Sequence, residues 1–287
     1  MSKLAMYFQK IEDSYVCCRL CPHNCVIKPG ASGVCGARKN IGGELYCLNY
    51  GKITSIALDP LEKKPLYRFH PGKMVLSVGT FGCNFKCLFC QNWRIAHAHP
   101  ETVDITPHEL VEKAKELKTK NNIGIAYTYN EPAIWHEFVA ETAREAKENG
   151  LMNVLVTNGF INREPLENLL PHIDAVNIDV KSFSEEFYCK ICKGSLESVK
   201  ETVKTCAGKC HVELTTLVIP GLNDSLEEIG KIAEWAASIS DEIPLHLSRF
   251  FPNYKMDGMP STPREILFKA RDKAKEHLKY VYVGNIW

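Results

Sequence analysis

The chain has 287 residues, of which 45% are apolar, and a formal net charge of +1. A balance this close to zero excludes a strongly basic surface, so charge gives no indication of binding to nucleic acid or to an anionic membrane. No apolar run reaches the roughly 18 residues of a membrane-spanning helix, and the first residues lack an apolar signal core, so we expect a cytoplasmic protein.

Thirteen cysteines are more than core packing requires in a chain expected to stay in a reducing compartment. They are clustered, and clustered intracellular cysteines indicate metal or redox chemistry rather than disulfides. Residues 1–72 are rich in Cys, Gly and Pro and contain only short strand-like pieces. We therefore predict a Cys-rich, irregular N-terminal module over residues 1–72 and a second domain over residues 73–287.

From residue 73 onward, apolar runs typical of buried strands alternate with helix patterns. The predicted strands cover residues 73–80, 124–129, 153–159, 175–180, 211–219, 244–250 and 280–285. The predicted helices cover residues 107–118, 133–150, 195–208, 225–238 and 263–279. This alternation predicts βαβ units and a parallel sheet. About six units predict an α/β fold in the form of an open, partial TIM barrel.

Chargeable and polar side chains follow several of these strands at the same end. In a βα barrel the functional groups lie at the carboxyl ends of the strands. The predicted site therefore contains Cys83, Cys87 and Cys90 after the first strand, Glu131 after the second, Asn158 after the third, Asp179 and Lys181 after the fourth, and Arg249 at the end of the sixth. The alternative is a set of ordinary solvated loops and surface ion pairs.

Three cysteines within eight residues are one ligand short of a structural zinc site, which takes four protein ligands. No fourth cysteine follows in the same loop. A cubane iron–sulfur cluster has four irons, usually with one thiolate on each. Cys83, Cys87 and Cys90 would leave one iron free to bind a substrate, whereas a structural zinc loop is the competing interpretation.

The Cys-x3-Cys-x2-Cys spacing, with an aromatic residue before the last cysteine, resembles that of the radical S-adenosylmethionine (SAM) superfamily. The segment GTFGCNFKCLFCQN is similar to the pyruvate formate-lyase activating enzymes. The segments CRLCPHNCVIKPGASGVCGAR and YTYNEP are similar to the radical SAM member of the AmmeMemoRadiSam system. The resemblance covers nearly the whole chain.

This resemblance implies a 4Fe-4S cluster on Cys83, Cys87 and Cys90, with the fourth iron chelating the methionine part of SAM. Glu131 matches the glutamate of the family's Gly-Gly-Glu-Pro motif, which holds the SAM amino group, although Tyr129 and Asn130 replace the two glycines here.

The other SAM contacts implied by the resemblance follow strands three, four and six. Asn158 lies near the expected ribose or carboxylate, and Asp179 and Lys181 match an Asp-x-Lys motif beside SAM. Arg249 takes the place of a histidine, and Val156 stands where the activating enzymes have an aspartate.

The implied reaction is one-electron reduction of the cluster and cleavage of SAM to methionine and a 5′-deoxyadenosyl radical, which abstracts hydrogen from a substrate. The implied partners are an electron donor such as a ferredoxin or flavodoxin, and a protein or small-molecule substrate. Activation of a glycyl radical enzyme is one alternative. A non-catalytic metal-binding scaffold is another.

Two further groups of cysteines remain. Cys18, Cys21, Cys25 and Cys35 have a spacing that suits zinc or a second cluster, or they are buried reduced cysteines. Cys189 and Cys192 precede a predicted helix, and Cys206 and Cys210 lie at its other end. A helix of about 12 residues is roughly 18 Å long, which is too far for one metal, so we predict structural roles for these four.

Overall fold

The computed structural model describes residues 2–286. Its strands are β1 Lys3–Leu4, β2 Phe8–Lys10, β3 Val16–Cys18, β4 Val26–Ile27, β5 Arg38–Ile41, β6 Glu44–Cys47, β7 Lys52–Ile53, β8 Ser55–Pro60, β9 Met74–Gly79, β10 Val103–Asp104, β11 Asn122–Tyr127, β12 Met152–Thr157, β13 Ala175–Asp179, β14 His211–Val218, β15 Leu245–Arg249 and β16 Val281–Gly284. Its α-helices are α1 Trp93–Ala96, α2 Pro107–Glu116, α3 His136–Glu148, α4 Arg163–Leu169, α5 Glu185–Phe187, α6 Leu196–Cys206, α7 Leu226–Ile239 and α8 Arg264–Ala274.

An eight-stranded sheet forms the centre of the fold, in the order β16-β15-β14-β13-β12-β11-β9-β8. From β9 to β16 every neighbouring pair is parallel. The two outermost strands of this sheet, β16 and β8, do not pair with each other, so the sheet is open over the described chain. The predicted α/β class with a parallel sheet is confirmed.

Strand β8 lies within the segment assigned to the N-terminal module, yet it is an edge strand of the main sheet. It pairs antiparallel with β9 over its whole length, from Ser55 opposite Gly79 to Pro60 opposite Met74. The rest of the module forms small antiparallel sheets, β1-β6-β5 and β2-β3-β4. The division of the chain at residue 72 therefore stays a prediction. Strand β8 precedes that residue but belongs to the main sheet.

The helices begin where the sequence supplies capping groups. At α2, Thr106 accepts a hydrogen bond from the Glu109 N–H while the Glu109 carboxylate accepts one from the Thr106 N–H, and Pro107 occupies the first turn. At α7 and α6 the cap is simpler, because the Ser225 and Ser195 side chains each accept a hydrogen bond from the N–H three residues later, with no carboxylate of the described chain bonding in return. These caps determine the residue at which each of these helices begins and the preceding loop ends.

The main apolar core lies between the sheet and its helices, and a smaller one lies under the N-terminal strands. Tyr67, from the segment before β9, packs its ring against His246 and Tyr282 at centroid distances of 4.7 and 4.8 Å. These rings fill the amino-terminal end of the barrel, opposite the predicted site.

No helix in residues 2–286 has both the length and the apolar character that a membrane crossing demands.

Candidate active site at the carboxyl ends of the strands

A cavity of about 420 Å³ opens at the carboxyl ends of the parallel strands. This volume lies within the range of roughly 300–1,000 Å³ that is usual for small-molecule sites. The structure brings most of the sequence-predicted site residues together in its wall, namely Cys83, Cys87, Cys90, Glu131, Asn158, Asp179 and Lys181. Side chains that follow four different strands thus meet at one site.

The loop that carries the three cysteines is held by backbone contacts from two other parts of the chain. Gly82 has a φ of +90°, and a Cβ there would lie 2.7 Å from the Cys35 carbonyl oxygen, so only glycine fits. The Cys83 N–H donates to that carbonyl at 3.2 Å, and the Lys86 N–H donates to the Cys192 carbonyl at 2.7 Å. The thiols are therefore positioned by the N-terminal module and by the segment before α6.

Cys87 is buried, Cys83 and Cys90 are partly buried, and the pKa values of all three thiols are raised. Burial raises the pKa of Cys90 to about 11 and the pKa of Cys83 well above its usual range. For Cys87 the largest cause is the Cys192 thiol, which lies within hydrogen-bonding reach, and burial adds to it. Without a bound metal the three side chains are neutral thiols at pH 7.

Glu131 is 1% exposed and links the ends of two strands. Its Oε1 accepts hydrogen bonds from the Ala133 N–H at 2.9 Å and the Thr157 hydroxyl at 2.7 Å, and its Oε2 accepts one from the Asn158 N–H at 2.7 Å. Burial raises the pKa of Glu131 to about 7, although these hydrogen bonds act in the opposite direction. The carboxyl group is therefore poised to ionise when a cation approaches.

Tyr129 takes the left-handed backbone conformation that a glycine would adopt easily, with a φ of 72°. The Asn92 side chain donates to its carbonyl oxygen at 2.6 Å, and its hydroxyl donates to Asp59 Oδ2 at 2.8 Å. Tyr129 therefore adopts a backbone conformation that a glycine of the family motif would adopt easily. The surrounding contacts hold this strained backbone in place. Asn130 joins this turn to the cysteine loop by donating to the Gly82 carbonyl at 2.9 Å.

Asp179 and Lys181 form an ion pair in the cavity wall, with Lys181 Nζ 2.8 Å from Asp179 Oδ2. Burial acts to lower the pKa of Lys181, but the Asp179 carboxylate beside it raises that pKa well above its ordinary value. Lys181 therefore stays charged beside the cysteines. The Asn158 side chain also faces this group, since its Nδ2 lies 3.8 Å from Cys83 Sγ.

Arg249 is not among the residues that line the cavity, so the SAM contact predicted for it is not supported. Its Nε donates to the Thr262 carbonyl at 2.7 Å, and its guanidinium lies 4.8 Å from the centre of the Phe251 ring. The neighbouring Ser248 lines the cavity instead. The reason is the alternation of side chains along a strand, which turns adjacent residues to opposite faces.

Sequence reasoning missed two groups near the site. Lys64 is 3% exposed, lies in the cavity wall, and pairs with Asp59 at 2.8 Å. Cys192 is fully buried against Cys87 in a π-helical turn, Tyr188–Cys192. The only sequence signal for Cys192 is its spacing from Cys189, which is exposed.

As predicted, α6 separates Cys192 from Cys206 and Cys210.

Comparison with known proteins identifies a family and several relatives. The family model for the radical SAM superfamily matches residues 77–236, more than half of the chain. An uncharacterised protein of Methanocaldococcus jannaschii is 46% identical over 98% of this chain and 85% of its own length. The pyruvate formate-lyase 1-activating enzyme of Escherichia coli is 24% identical over 66% of this chain and 84% of that enzyme.

Solved structures share the fold at low sequence identity. A domain of a pyruvate-formate lyase-activating enzyme from Bacteroides vulgatus has a TM-score of 0.51 and 17% identity, covering 56% of this chain and 99% of that domain. Streptococcus suis SuiB bound to S-adenosylmethionine has a TM-score of 0.58 and 11% identity, covering 73% of this chain and 51% of SuiB. The cysteine loop and strand ends lie inside the matched family region, and the chain is accordingly a radical SAM enzyme that belongs to the radical SAM superfamily, whose cofactors are a 4Fe-4S cluster and SAM.

Proposed function

We propose that this chain cleaves SAM reductively at the cavity formed by Cys83, Cys87 and Cys90 and the ends of strands β11 to β13. The observation that carries the proposal is the convergence of three thiols, one buried and two partly buried, a buried carboxyl group and a partly buried ion pair on one cavity. When bound, the cluster supplies the electron that breaks a carbon–sulfur bond of SAM, giving methionine and a 5′-deoxyadenosyl radical that abstracts hydrogen from a substrate.

The donor set fits an iron–sulfur cluster better than a single metal ion. Within residues 2–286, no three Cys, His, Asp or Glu side chains lie close enough together to hold one ion. Zinc would need such close convergence, because its thiolate ligands lie about 2.3 Å from the metal. A cubane places its thiolates on separate irons, which suits three thiols spread over a cavity wall.

The remaining side chains suit the polar groups of SAM. Glu131 presents a buried carboxyl group that is ready to ionise against an ammonium group. Asp179 and Lys181 present an acceptor and a donor side by side, which suits hydroxyl and carboxylate groups. Phe85 and Phe89 also line the cavity and exclude water from the thiols.

The test is an anaerobic assay of the full chain. The protein is reconstituted with iron and sulfide, reduced with dithionite and mixed with SAM, and 5′-deoxyadenosine is measured by mass spectrometry. We expect product from the wild-type chain, none above background from Cys87→Ala, and wild-type levels from Cys189→Ala, whose thiol is exposed. Product that persists in Cys87→Ala, or a reconstituted wild-type chain that neither binds nor cleaves SAM, would contradict the proposal.

Activation of a glycyl radical enzyme is the second candidate, because an M. jannaschii relative is named a putative glycyl-radical enzyme activating enzyme, and the E. coli relative is named an activating enzyme of pyruvate formate-lyase 1. In that case the hydrogen would come from a glycine Cα–H of a partner protein. A stable glycyl radical signal in electron paramagnetic resonance, formed with a candidate partner protein and SAM, distinguishes this reaction from hydrogen abstraction elsewhere.

A further inference from the structure

Four cysteines of the N-terminal module, Cys18, Cys21, Cys25 and Cys35, lie together outside the cavity described above. Cys18 and Cys25 meet at the end of the β3–β4 hairpin, where the Cys18 N–H donates to the Cys25 carbonyl at 2.9 Å, and Cys21 lies in the loop between them. A Cβ on Gly33, two residues before Cys35, would lie 3.6 Å from Cys25 Sγ, so the turn that carries Cys35 packs against the same hairpin. Cys18, Cys21 and Cys35 are buried, Cys25 is half-buried, and all four are free of disulfides. The fold has gathered four thiols that the sequence keeps apart.

The backbone turns an N–H group toward each of these sulfurs. A neutral thiol is a weak acceptor, whereas a metal-bound thiolate is a charged one, so such N–H groups are well paired only when the sulfurs are thiolates. Three of the four N–H groups lie two residues after their cysteine, and the same offset occurs in the cavity at Cys83 and Cys90. The N–H donors are those of Leu20 to Cys18, His23 to Cys21, Val34 to Cys25 and Ala37 to Cys35.

A buried cation lies beside the same group. Arg38 is 1% exposed, and its charge acts on Cys18 and Cys35. Glu137 balances part of this charge through an ion pair, but Arg38 Nε has no hydrogen-bond partner within the described chain. A buried guanidinium is costly unless it faces negative charge, and a set of thiolates would supply it.

The spacing of the sulfurs decides which metal fits. Zinc holds thiolates at about 2.3 Å, so four of them would lie roughly 3.8 Å from one another in a tetrahedron. Within residues 2–286, no three Cys, His, Asp or Glu side chains are placed to hold a single metal ion, either here or at the cavity cysteines. We propose that Cys18, Cys21, Cys25 and Cys35 bind a second 4Fe-4S cluster, with one thiolate on each iron.

The second site lies directly beside the first but is complete in itself. The Cys35 carbonyl accepts the Cys83 N–H at 3.2 Å, and His23 Nε2 lies 2.7 Å from the Asn84 carbonyl oxygen. With four protein thiolates no iron is left open, so this site does not bind SAM. Its existence is independent of whether the cavity cleaves SAM.

The experiment counts iron and acid-labile sulfide in reconstituted full-length chains. The decisive variant is the triple change Cys83→Ala, Cys87→Ala and Cys90→Ala, which leaves the N-terminal site untouched. We expect about eight irons in the wild type and about four in this variant, because each cubane holds four. Cys21→Ala with Cys35→Ala removes the other four. Cys17→Ala is the matched control with about eight, because Cys17 Sγ is turned toward the Asn24 carbonyl instead.

Two results would overturn the proposal. One is a folded triple variant that retains no iron, whether or not it holds one zinc per chain. The other is a wild-type chain with only about four irons, and this count decides the question if the triple variant does not fold. Failure of SAM cleavage, by contrast, would leave about four irons in the triple variant and so would not affect the second site.

Discussion

Two buried glutamates lie at opposite ends of the same sheet, and their ionisation differs. Glu131, at the carboxyl ends of the strands, has a pKa raised to about 7. Glu213 lies toward the amino-terminal end of the barrel. Burial acts to raise its pKa too, but hydrogen bonds from His211, His246 and the backbone N–H of Arg68 lower it to about 2. Both carboxyl groups accept several hydrogen bonds, so the number of donors does not explain the difference.

The difference lies in the kind of partner, because imidazole side chains bond Glu213 whereas hydroxyl and backbone N–H groups bond Glu131. Glu213 has an imidazole nitrogen 2.8 Å from Oε1 and another 2.6 Å from Oε2. Within residues 2–286, no hydrogen bond or ion pair joins Glu131 to a lysine, arginine or histidine. At the amino-terminal end, the carboxylate is bonded by other side chains of the same chain, which stabilises the fold. At the other end the carboxyl group is left to be matched by a cationic ligand, which is what a binding site requires.

The largest expected effect is on stability at the amino-terminal end. Glu213→Gln removes a carboxylate whose lowered pKa contributes about 3 kcal/mol at pH 7. In the wild type this contribution is present above pH 4.5 and is lost as the pH falls toward 2, so the variant also loses that acid dependence. Urea unfolding followed at several pH values measures both, with the exposed Glu234→Gln as control. An unfolding free energy equal to that of the control would contradict the assignment.

At the other end, the same substitution should affect binding more than stability. Glu131→Gln removes a charged acceptor for the SAM ammonium group, and hydrogen bonds to charged groups contribute about 1.5–3 kcal/mol. We expect the dissociation constant of SAM to rise by roughly 10- to 100-fold in the reconstituted chain. Equilibrium binding of SAM to wild type, Glu131→Gln and Glu234→Gln tests this. If Glu131→Gln lost as much stability as Glu213→Gln and kept its affinity for SAM, the role of Glu131 would be structural and the prediction would be wrong.

A smaller effect is the release of protons when SAM binds. Below pH 7 Glu131 is mostly protonated, and an approaching ammonium group lowers its pKa, so a proton leaves the site. Calorimetry in two buffers with different heats of ionisation should detect release of up to about one proton near pH 6.5 and little at pH 8.5. Glu131→Gln should abolish this difference. Equal release from that variant would assign the proton to another group.

The smallest effect is expected at Arg249. Because its guanidinium contacts Thr262 and Phe251 rather than the cavity, Arg249→Ala should leave the dissociation constant of SAM within about twofold of wild type. Lys181→Ala, in the cavity wall, should weaken binding and serves as the positive control. A loss of affinity in Arg249→Ala as large as that of Lys181→Ala would restore the sequence-based assignment.

The parallel strands were predictable because a buried parallel strand is a nearly continuous apolar run. Each predicted run overlaps an observed strand, as at residues 73–80 for Met74–Gly79 and residues 211–219 for His211–Val218. The cysteine loop and Glu131 followed from the rule that places functional groups at strand ends. The pairing of β8 with the main sheet was not predicted, because Ser55–Pro60 lies in a segment read as irregular with short strand-like pieces, and its burial alternates weakly.

The orientation of single side chains was harder to predict. At the end of β15, Ser248 and Arg249 are both polar, so the sequence does not indicate which of them faces the cavity. Cys192 reaches Cys87 only because the turn before α6 folds back onto the cysteine loop. Both outcomes depend on tertiary packing, which local periodicity does not encode.

The buried pair Arg38–Glu137 has a consequence for synthesis of the chain. Its partners are separated by 99 positions, and translation proceeds at roughly 5–20 residues per second. The arginine therefore emerges from the ribosome roughly 5–20 s before the glutamate that neutralises it. Until then its burial would leave an unpaired charge, so we expect Arg38 to become buried only once the third helix, which carries Glu137, is available.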